Sequence, residues 1–271
     1  MRSTLGAPLR DVIARHGLAT RKSLGQHFLL DSQLLARIAR VAGSLEGVHV
    51  IEVGPGPGGL TQALLDSDAS SVTAIEIDPR AIAATSELLT MYGMRLRVVP
   101  GDALEIDLTT LTAAPRAVVA NLPYNAGTAM LLRWLHQASA FRLMVLMFQR
   151  EVAERIVALP NTPHYGRLAV LAALTVDRTI AMTVPPSAFS PPPKVESAVV
   201  RLVPHAAQPS PALLERVGTV TAAAFGQRRK MLRGSLKSLG GAALLERVGI
   251  DPERRAETLA PTDYVRLAEA L

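Results

Sequence analysis

The sequence predicts an α/β fold built on a parallel, doubly wound sheet, with a small all-helical region at its C-terminal end. Three observations carry this expectation. Short apolar runs alternate with stretches of helical periodicity from Val48 to about residue 150. A glycine turn, Gly54-Pro-Gly-Pro-Gly-Gly59, directly follows the first of those runs. Beyond Pro211 the apolar residues recur at helical spacing only.

The elements follow in order. Leu9 to Leu18 reads as a short amphipathic surface helix. Val48–Val53 is a strand leading into the glycine turn, after which Leu60, Ala63 and Leu64 share one face of a helix. Val72–Ile77 repeats the strand and precedes a helix through Ala81 to Leu89; Leu96–Val99 precedes Gly101-Asp102. Arg116–Ala120 and Leu143–Phe148 are further strands, each followed by a helical stretch. Near-continuous apolar strands of this kind belong to a sheet covered on both faces. Thr179–Val184 and Val195–Val203 then bracket Pro185–Pro193, a loop too rich in proline for a helix. Pro204–Pro211 is a linker, and helices are expected over Leu213–Phe225, Gln227–Leu239, Ala242–Val248 and Thr262–Leu271. The implied domains are a basic arm or helix over 1–22, a Rossmann-like domain over 23–204 and a helical domain over 205–271.

Composition narrows the function. At 271 residues and 49% hydrophobic, the chain has ample core for one large or two modest domains. It contains no cysteine, which excludes disulfides, thiolate zinc sites and cysteine nucleophiles. Attack at a pyrimidine ring carbon, which usually needs a cysteine adduct, is disfavoured with them. The six histidines form no HxxxH pair, so no metal is expected. There is no apolar h-region of about 7 to 15 residues and no run near the roughly 20 that span a bilayer. The expectation is a cytoplasmic protein with no membrane partner.

The net charge of +6 is unevenly spread. Residues 1–30 carry five basic and one acidic side chain, residues 31–200 carry 13 and 15, and residues 201–271 carry 11 and 7. Basic ends around a slightly acidic centre suit a polyanionic partner.

Gly54, Gly56 and Gly59 satisfy G-x-G-x-x-G after a strand, and the next strand ends at Glu76, where a ribose diol is usually bound. The motif alone admits NAD, FAD or S-adenosylmethionine, or a mere tight turn. Pro55 and Pro57 remove two N–H groups that would cradle a pyrophosphate, and Glu52 suits a cation better than an anion. Both favour a sulfonium cofactor. Asp102, after the third strand, reads either as a helix cap or as the acceptor for an adenine amine. Glycine turn and two strand-end acids have the register of an adenosyl pocket along the carboxyl edge of a parallel sheet.

The fourth strand runs into Asn121-Leu-Pro-Tyr124. An aromatic amine such as adenine N6 is a weak nucleophile because its lone pair is delocalised into the ring. The Asn121 side-chain oxygen and the Leu122 carbonyl can each accept one amine hydrogen at about 2.9 Å, favouring a tetrahedral nitrogen whose lone pair faces a methyl donor. Pro123 fixes the turn, and Tyr124 offers a flat surface for an unstacked base. A neutral Asn implies positioning rather than strong-base catalysis. The bland alternative is an Asn-initiated turn with a surface tyrosine.

Taken together, Gly25-Gln-His-Phe-Leu29, Glu52-Val-Gly-Pro-Gly-Pro-Gly-Gly-Leu-Thr61, Glu76-Ile-Asp78, Asn121-Leu-Pro-Tyr124 and Pro185-Pro-Ser-Ala-Phe-Ser-Pro-Pro-Pro-Lys-Val195 resemble the ribosomal RNA adenine N6-dimethyltransferases, the bacterial small-subunit members above all. The resemblance runs from about residue 20 to the C-terminus. It implies dimethylation of two adjacent adenosines near the 3′ end of small-subunit rRNA, with S-adenosylmethionine as donor and the pre-assembled small ribosomal subunit as partner, by a monomer. It further implies that His27 and Leu29 border the methionine part of the cofactor, Gly54 its backbone turn, Glu76 the ribose and Asp102 the adenine. Asn121 lies between donor and amine, and Tyr124 and Phe189 sandwich the base. Position 27 departs from the commoner Asn, and imidazole replaces only one amide hydrogen bond.

The run Phe225-Gly-Gln-Arg-Arg-Lys-Met-Leu-Arg-Gly-Ser-Leu-Lys237 also resembles the family, with Gly234 where Asn is frequent. On a continuous helix Arg229, Arg233 and Lys237 fall on one face beside Arg228 and Lys230, with no acid in the run. RNA phosphate contact is expected there, with Arg21 and Lys22 as a second contact. Rival readings are a non-catalytic factor of the same fold in ribosome assembly or mitochondrial transcription, a large-subunit rRNA methyltransferase conferring antibiotic resistance, and, more distantly, an NAD oxidoreductase.

Overall fold

The computed structural model describes residues 8–18 and 27–271. Arg21 and Lys22 lie outside the described residues. Helix α1 (Leu9–Arg15) comes first, then a two-residue strand β1 (Phe28–Leu29) and α2 (Ser32–Arg40). The Asp31 carboxylate caps α2 by accepting the Gln33 and Leu34 N–H groups at 2.8 and 3.3 Å. There follow β2 (His49–Val53), α3 (Gly59–Leu65), β3 (Ser71–Glu76), α4 (Pro79–Ser86), α5 (Leu89–Tyr92), β4 (Leu96–Pro100) and β5 (Arg116–Asn121). After them come α6 (Gly127–Leu135), β6 (Leu143–Gln149), α7 (Arg150–Val157), α8 (Arg167–Thr175), β7 (Val176–Val184), β8 (Phe189–Ser190) and β9 (Ser197–Pro204). The remainder is helical: α9 (Pro211–Gly226), α10 (Leu232–Ser235), α11 (Gly241–Arg247) and α12 (Pro261–Glu269).

The large sheet has seven strands in the order β4-β3-β2-β5-β6-β9-β7. Strands β2 to β6 are mutually parallel, as the apolar runs predict, and their inward residues Val50, Val72, Val119 and Val145 are fully buried. The sheet is not parallel throughout, because β9 runs antiparallel to β6, with Gln149 opposite Ser197. From β2 the chain builds outward through β3 and β4 on one side, then returns to start β5 and β6 on the other. The crevice at such a reversal, outside the strands' carboxyl ends, is where this architecture binds ligands.

A second, two-stranded sheet pairs β1 with β8, placing Leu29 opposite Phe189 and Phe28 opposite Ser190. Two sequence motifs about 160 residues apart thereby meet beside the crevice.

The chain divides into two compact units. The first comprises residues 1–130, 140–150 and 180–202; the second gathers 131–139, 151–179 and 203–271. In the second, Phe225 near the end of α9 packs against Tyr165 and Tyr264, with ring centroids 5.9 and 5.7 Å apart. The Tyr165 hydroxyl donates to the Leu259 carbonyl at 2.9 Å.

The expected helix over Gln227–Leu239 does not form as one piece. Gln227–Lys230 is a turn, Met231 bridges to Arg255, and only Leu232–Ser235 is α-helical before a 3-10 turn at Lys237–Leu239. The Leu232 and Arg233 N–H groups donate instead to the Arg254 and Pro252 carbonyls at 2.8 and 3.0 Å. Those tertiary bonds take the donors a continuous helix would use. Hence Arg229, Arg233 and Lys237 do not share one helical face.

Candidate active site

Strand β2 delivers Glu52 and then breaks into the glycine turn, where Gly54, Gly56 and Gly58 take φ of 69°, 56° and 85°. A side chain at Gly56 would stand 2.9 Å from the Phe28 ring, so this turn needs glycine for both reasons. Strand β3 ends at Glu76, whose carboxylate accepts the Ile77 and Asp78 N–H groups at 2.8 and 2.9 Å and the Gly56 N–H at 3.3 Å. Burial raises its proton affinity, while those backbone bonds oppose the shift. Oε1 is filled by the Ile77 and Asp78 N–H groups, and Oε2, which holds only the Gly56 N–H, keeps a lone pair for one hydroxyl of a diol.

Glu52 is 1% exposed. Burial pushes its carboxyl up to about 8; the nearby Thr61 hydroxyl opposes this, and the Glu76 charge adds to it. Its Oε2 has no partner among the described residues, and the Thr61 hydroxyl lies close without reaching hydrogen-bond geometry. An orphaned acid under an acid-flanked glycine turn fits a cationic ligand and opposes a pyrophosphate.

Beyond β4, Asp102 accepts the Leu104 N–H at 2.8 Å through Oδ1 in an Asx turn that starts no helix, so the cap reading fails there, and Oδ2 has no partner among the described residues. Ile77 is 57% exposed although apolar and sits at the end of β3 next to Glu76. Sequence reasoning missed it; its signal was an apolar residue directly after the strand-end acid.

Asn121 ends β5 in register with Met147 of β6. Its Nδ2 donates to the His27 carbonyl at 3.5 Å, which leaves Oδ1 as the acceptor. Leu122 is buried, and its carbonyl accepts no hydrogen bond among the described residues. The Pro123 carbonyl accepts the Ala126 and Gly127 N–H groups at 3.1 and 2.9 Å, closing the turn into α6. The Tyr124 hydroxyl lies 2.6 Å from Ser197 Oγ, and burial raises the phenol's proton affinity. Ser197 was not foreseen from sequence, because one serine at the edge of an apolar run carries no periodic signal.

His27 Nδ1 donates to the Pro191 carbonyl at 2.8 Å, so the neutral ring keeps its lone pair on Nε2. Its ring lies 5.6 Å from Tyr124, tilted by 31°, and 6.5 Å from Phe189, nearly edge-on at 82°. Leu29 and Phe189 are both buried in the core of the first unit, Phe189 at 4% exposure. The structure thus gathers His27, Leu29, Gly54, Glu76, Asp102, Asn121, Leu122, Tyr124 and Phe189 along one edge of the sheet, with Phe189 behind the His27 ring.

The basic run belongs to the second unit, and Arg228, Arg229, Lys230, Arg233 and Lys237 are all exposed. It is not free of counter-charge, because Arg233 Nη1 lies 3.5 Å from Glu253. Arg228 donates to the Pro163 carbonyl at 2.7 Å. Arg229, Lys230 and Lys237 have no ion pair among the described residues.

Residues 17–271 match the family model described as ribosomal RNA adenine dimethylase. The chain is 58% identical to the ribosomal RNA small subunit methyltransferase A of Gluconobacter oxydans, over 96% of this chain and 86% of that protein. It is 57% identical to the protein of the same name from Mesorhizobium japonicum, over 97% and 98%. Among solved structures, a dimethyladenosine transferase from Plasmodium falciparum aligns with TM-score 0.76 and 27% identity, covering 89% of this chain and 96% of that one. The 23S rRNA methyltransferase ErmE aligns with TM-score 0.67 and 30% identity, covering 90% and 99%. With the acid-flanked glycine turn and the Asn-Leu-Pro-Tyr turn on adjacent parallel strands, the chain belongs to the ribosomal RNA adenine dimethylase family and is an rRNA methyltransferase.

Proposed function

We propose that this enzyme dimethylates N6 of two adjacent adenosines near the 3′ end of small-subunit rRNA, in the cytoplasm, on pre-assembled small subunits. The observation that carries the reading is the Asn121 amide, whose Nδ2 is engaged by the His27 carbonyl at 3.5 Å so that Oδ1 and the unengaged Leu122 carbonyl form a pair of acceptors. Relatives 57 to 58% identical named for the small subunit support that substrate over the large one.

The methyl donor is S-adenosylmethionine, and the residues present fit it. Glu76 takes the ribose diol, Asp102 Oδ2 the adenine amine with Ile77 against the ring, and Gly54 and Gly56 admit the backbone-close part. Leu29 and His27 border the methionine end, and the orphaned Glu52 gives the cation a buried counter-charge. Bound there, it supplies an electrophilic methyl group.

The chain's own residues do the rest. Asn121 Oδ1 and the Leu122 carbonyl accept the two amine hydrogens and turn the N6 lone pair toward the donor. Tyr124 is the main platform for the flipped base, and Phe189 is the wall behind His27. Asn121 is no base, so the methylated amine sheds its proton to water. Arg228, Arg229, Lys230, Arg233 and Lys237, with Arg21 and Lys22, grip rRNA phosphates, and the helical residues after 205 carry most of that grip.

Incubation with labelled methyl donor and under-methylated small subunits, followed by mapping of dimethyladenosine, tests the substrate. Label on the large subunit instead would overturn it. Asn121→Ala is expected to abolish transfer while cofactor binding persists; full turnover in that variant would remove Asn121 from its role.

A further inference from the structure

We propose that Ser197 is a positioning residue for methyl transfer: its hydroxyl fixes the Tyr124 ring in the orientation that receives the target base. The inference rests on the reading of Tyr124 as base platform.

Tyr124 lies in the turn after β5, and Ser197 opens β9. In the sheet these strands are separated by β6, so the phenol reaches across the carboxyl end of β6 to a hydroxyl two strands away. The two oxygens are 2.6 Å apart, and Ser197 is 0% exposed. Its backbone is held by the sheet: Ser197 is in register with Gln149, and the Glu196 carbonyl before it accepts the Arg150 N–H at 2.9 Å. A second tie, between Arg150 and the Glu196 carboxylate at 2.6 Å, closes the same corner.

A tyrosine ring at a turn has two side-chain torsions to settle. Packing against the tilted His27 ring limits one side of it only. The phenol oxygen lies on the axis about which the ring turns, so its hydrogen bond fixes where that axis points, while the His27 ring against one face limits rotation about it. Asn121 and Leu122 fix where N6 sits; a Tyr124 ring whose axis is held by Ser197 and whose rotation is limited by His27 sets where and how the stacked base lies. The second methylation is the more demanding, because the monomethylated amine has one hydrogen left for two acceptors. Loss of the anchor should therefore show most clearly there.

The test compares Ser197→Ala, Ser197→Thr, Tyr124→Phe, Tyr124→Ala and the Ser197→Ala/Tyr124→Phe double variant on under-methylated small subunits, measuring kcat, KM and the ratio of monomethyl- to dimethyladenosine. Ser197→Ala should lower kcat about three- to tenfold, the value of one such hydrogen bond, leave cofactor affinity unchanged and accumulate monomethyladenosine. Ser197→Thr, which keeps the hydroxyl, should restore the ratio. The double variant should be no worse than the worse single. Tyr124→Phe breaks the same bond from the other end and reports on it even if Ser197→Ala fails to fold. A wild-type product ratio in folded Ser197→Ala or in Tyr124→Phe overturns the inference, as does a loss of active fraction with the ratio unchanged. Unimpaired Tyr124→Ala would instead overturn the platform reading; impaired Tyr124→Ala beside unimpaired Ser197→Ala and Tyr124→Phe removes the anchor alone.

Discussion

Glu76 Oε2 accepts the Gly56 N–H at 3.3 Å, so the acid that ends β3 is bonded to the glycine turn that ends β2. The Glu76 carboxylate, the proposed ribose site, and the turn are therefore one construction. The Thr85 hydroxyl donates to the Gly56 carbonyl at 3.0 Å and holds the turn from the other side.

Gly56→Ala should damage both at once. The new Cβ would take φ near 56° and approach the Phe28 ring to 2.9 Å, a conformation costing about 1 to 3 kcal/mol. A lower melting temperature and a weaker calorimetric cofactor affinity are expected. Retention of the wild-type affinity would show that the turn does not border the ligand.

Glu52 should make cofactor binding and stability depend on pH. Its folded value is raised from 4.5 to about 8, so between those values the native state holds a proton the unfolded state has released. Its stabilising contribution is complete below the lower value and is lost as pH rises through the upper one, by up to about 1.4 kcal/mol per pH unit. Glu76, also raised, acts in the same direction. A cationic ligand favours ionised Glu52, so affinity should rise with pH and binding near neutrality should release a proton. Glu52→Gln should flatten both profiles; identical profiles in that variant would mean another group titrates.

Much of this site was legible because its chemistry lies at strand ends. Gly54, Glu76, Asp102 and Asn121 each follow an apolar run, Glu52 stands next to the end of one, and a run's end can be read from the order of residues alone. The β1–β8 pairing was visible only as two motifs, since strands of two residues have no period. Ser197 and the Arg254 and Pro252 carbonyls that interrupt the expected Gln227–Leu239 helix act through contacts distant in sequence. No periodicity records such contacts. The basic run looked helical because charges at i, i+4 and i+8 satisfy the pattern whether or not the backbone does.

Tyr124 and Phe189 should separate under mutation, although the family resemblance implies that they form one sandwich. Tyr124 is half-buried and tied to Ser197, so Tyr124→Ala should lower turnover with a modest change in stability. Phe189 is 4% exposed within the core, so Phe189→Ala should cost about 3 to 5 kcal/mol and lower the unfolding midpoint first. A Phe189→Ala protein of wild-type stability but impaired turnover would place the ring in direct contact with the base.

The basic residues should also be unequal. Arg229 is exposed with no ion pair among the described residues, whereas Arg233 stands 3.5 Å from Glu253. A cation already facing a carboxylate releases fewer counterions on meeting a phosphate. Arg229→Ala should therefore reduce the slope of log K against log salt for RNA binding by about 0.7 to 0.9, the value of one phosphate contact, and Arg233→Ala by less. Glu253→Gln should tighten RNA binding and steepen the slope, because it frees the Arg233 charge. None of the three should alter cofactor affinity. Equal slopes for Arg229→Ala and wild type would move the RNA track away from this turn, and a larger effect at Arg233 than at Arg229 would show that RNA displaces Glu253 from its partner on binding.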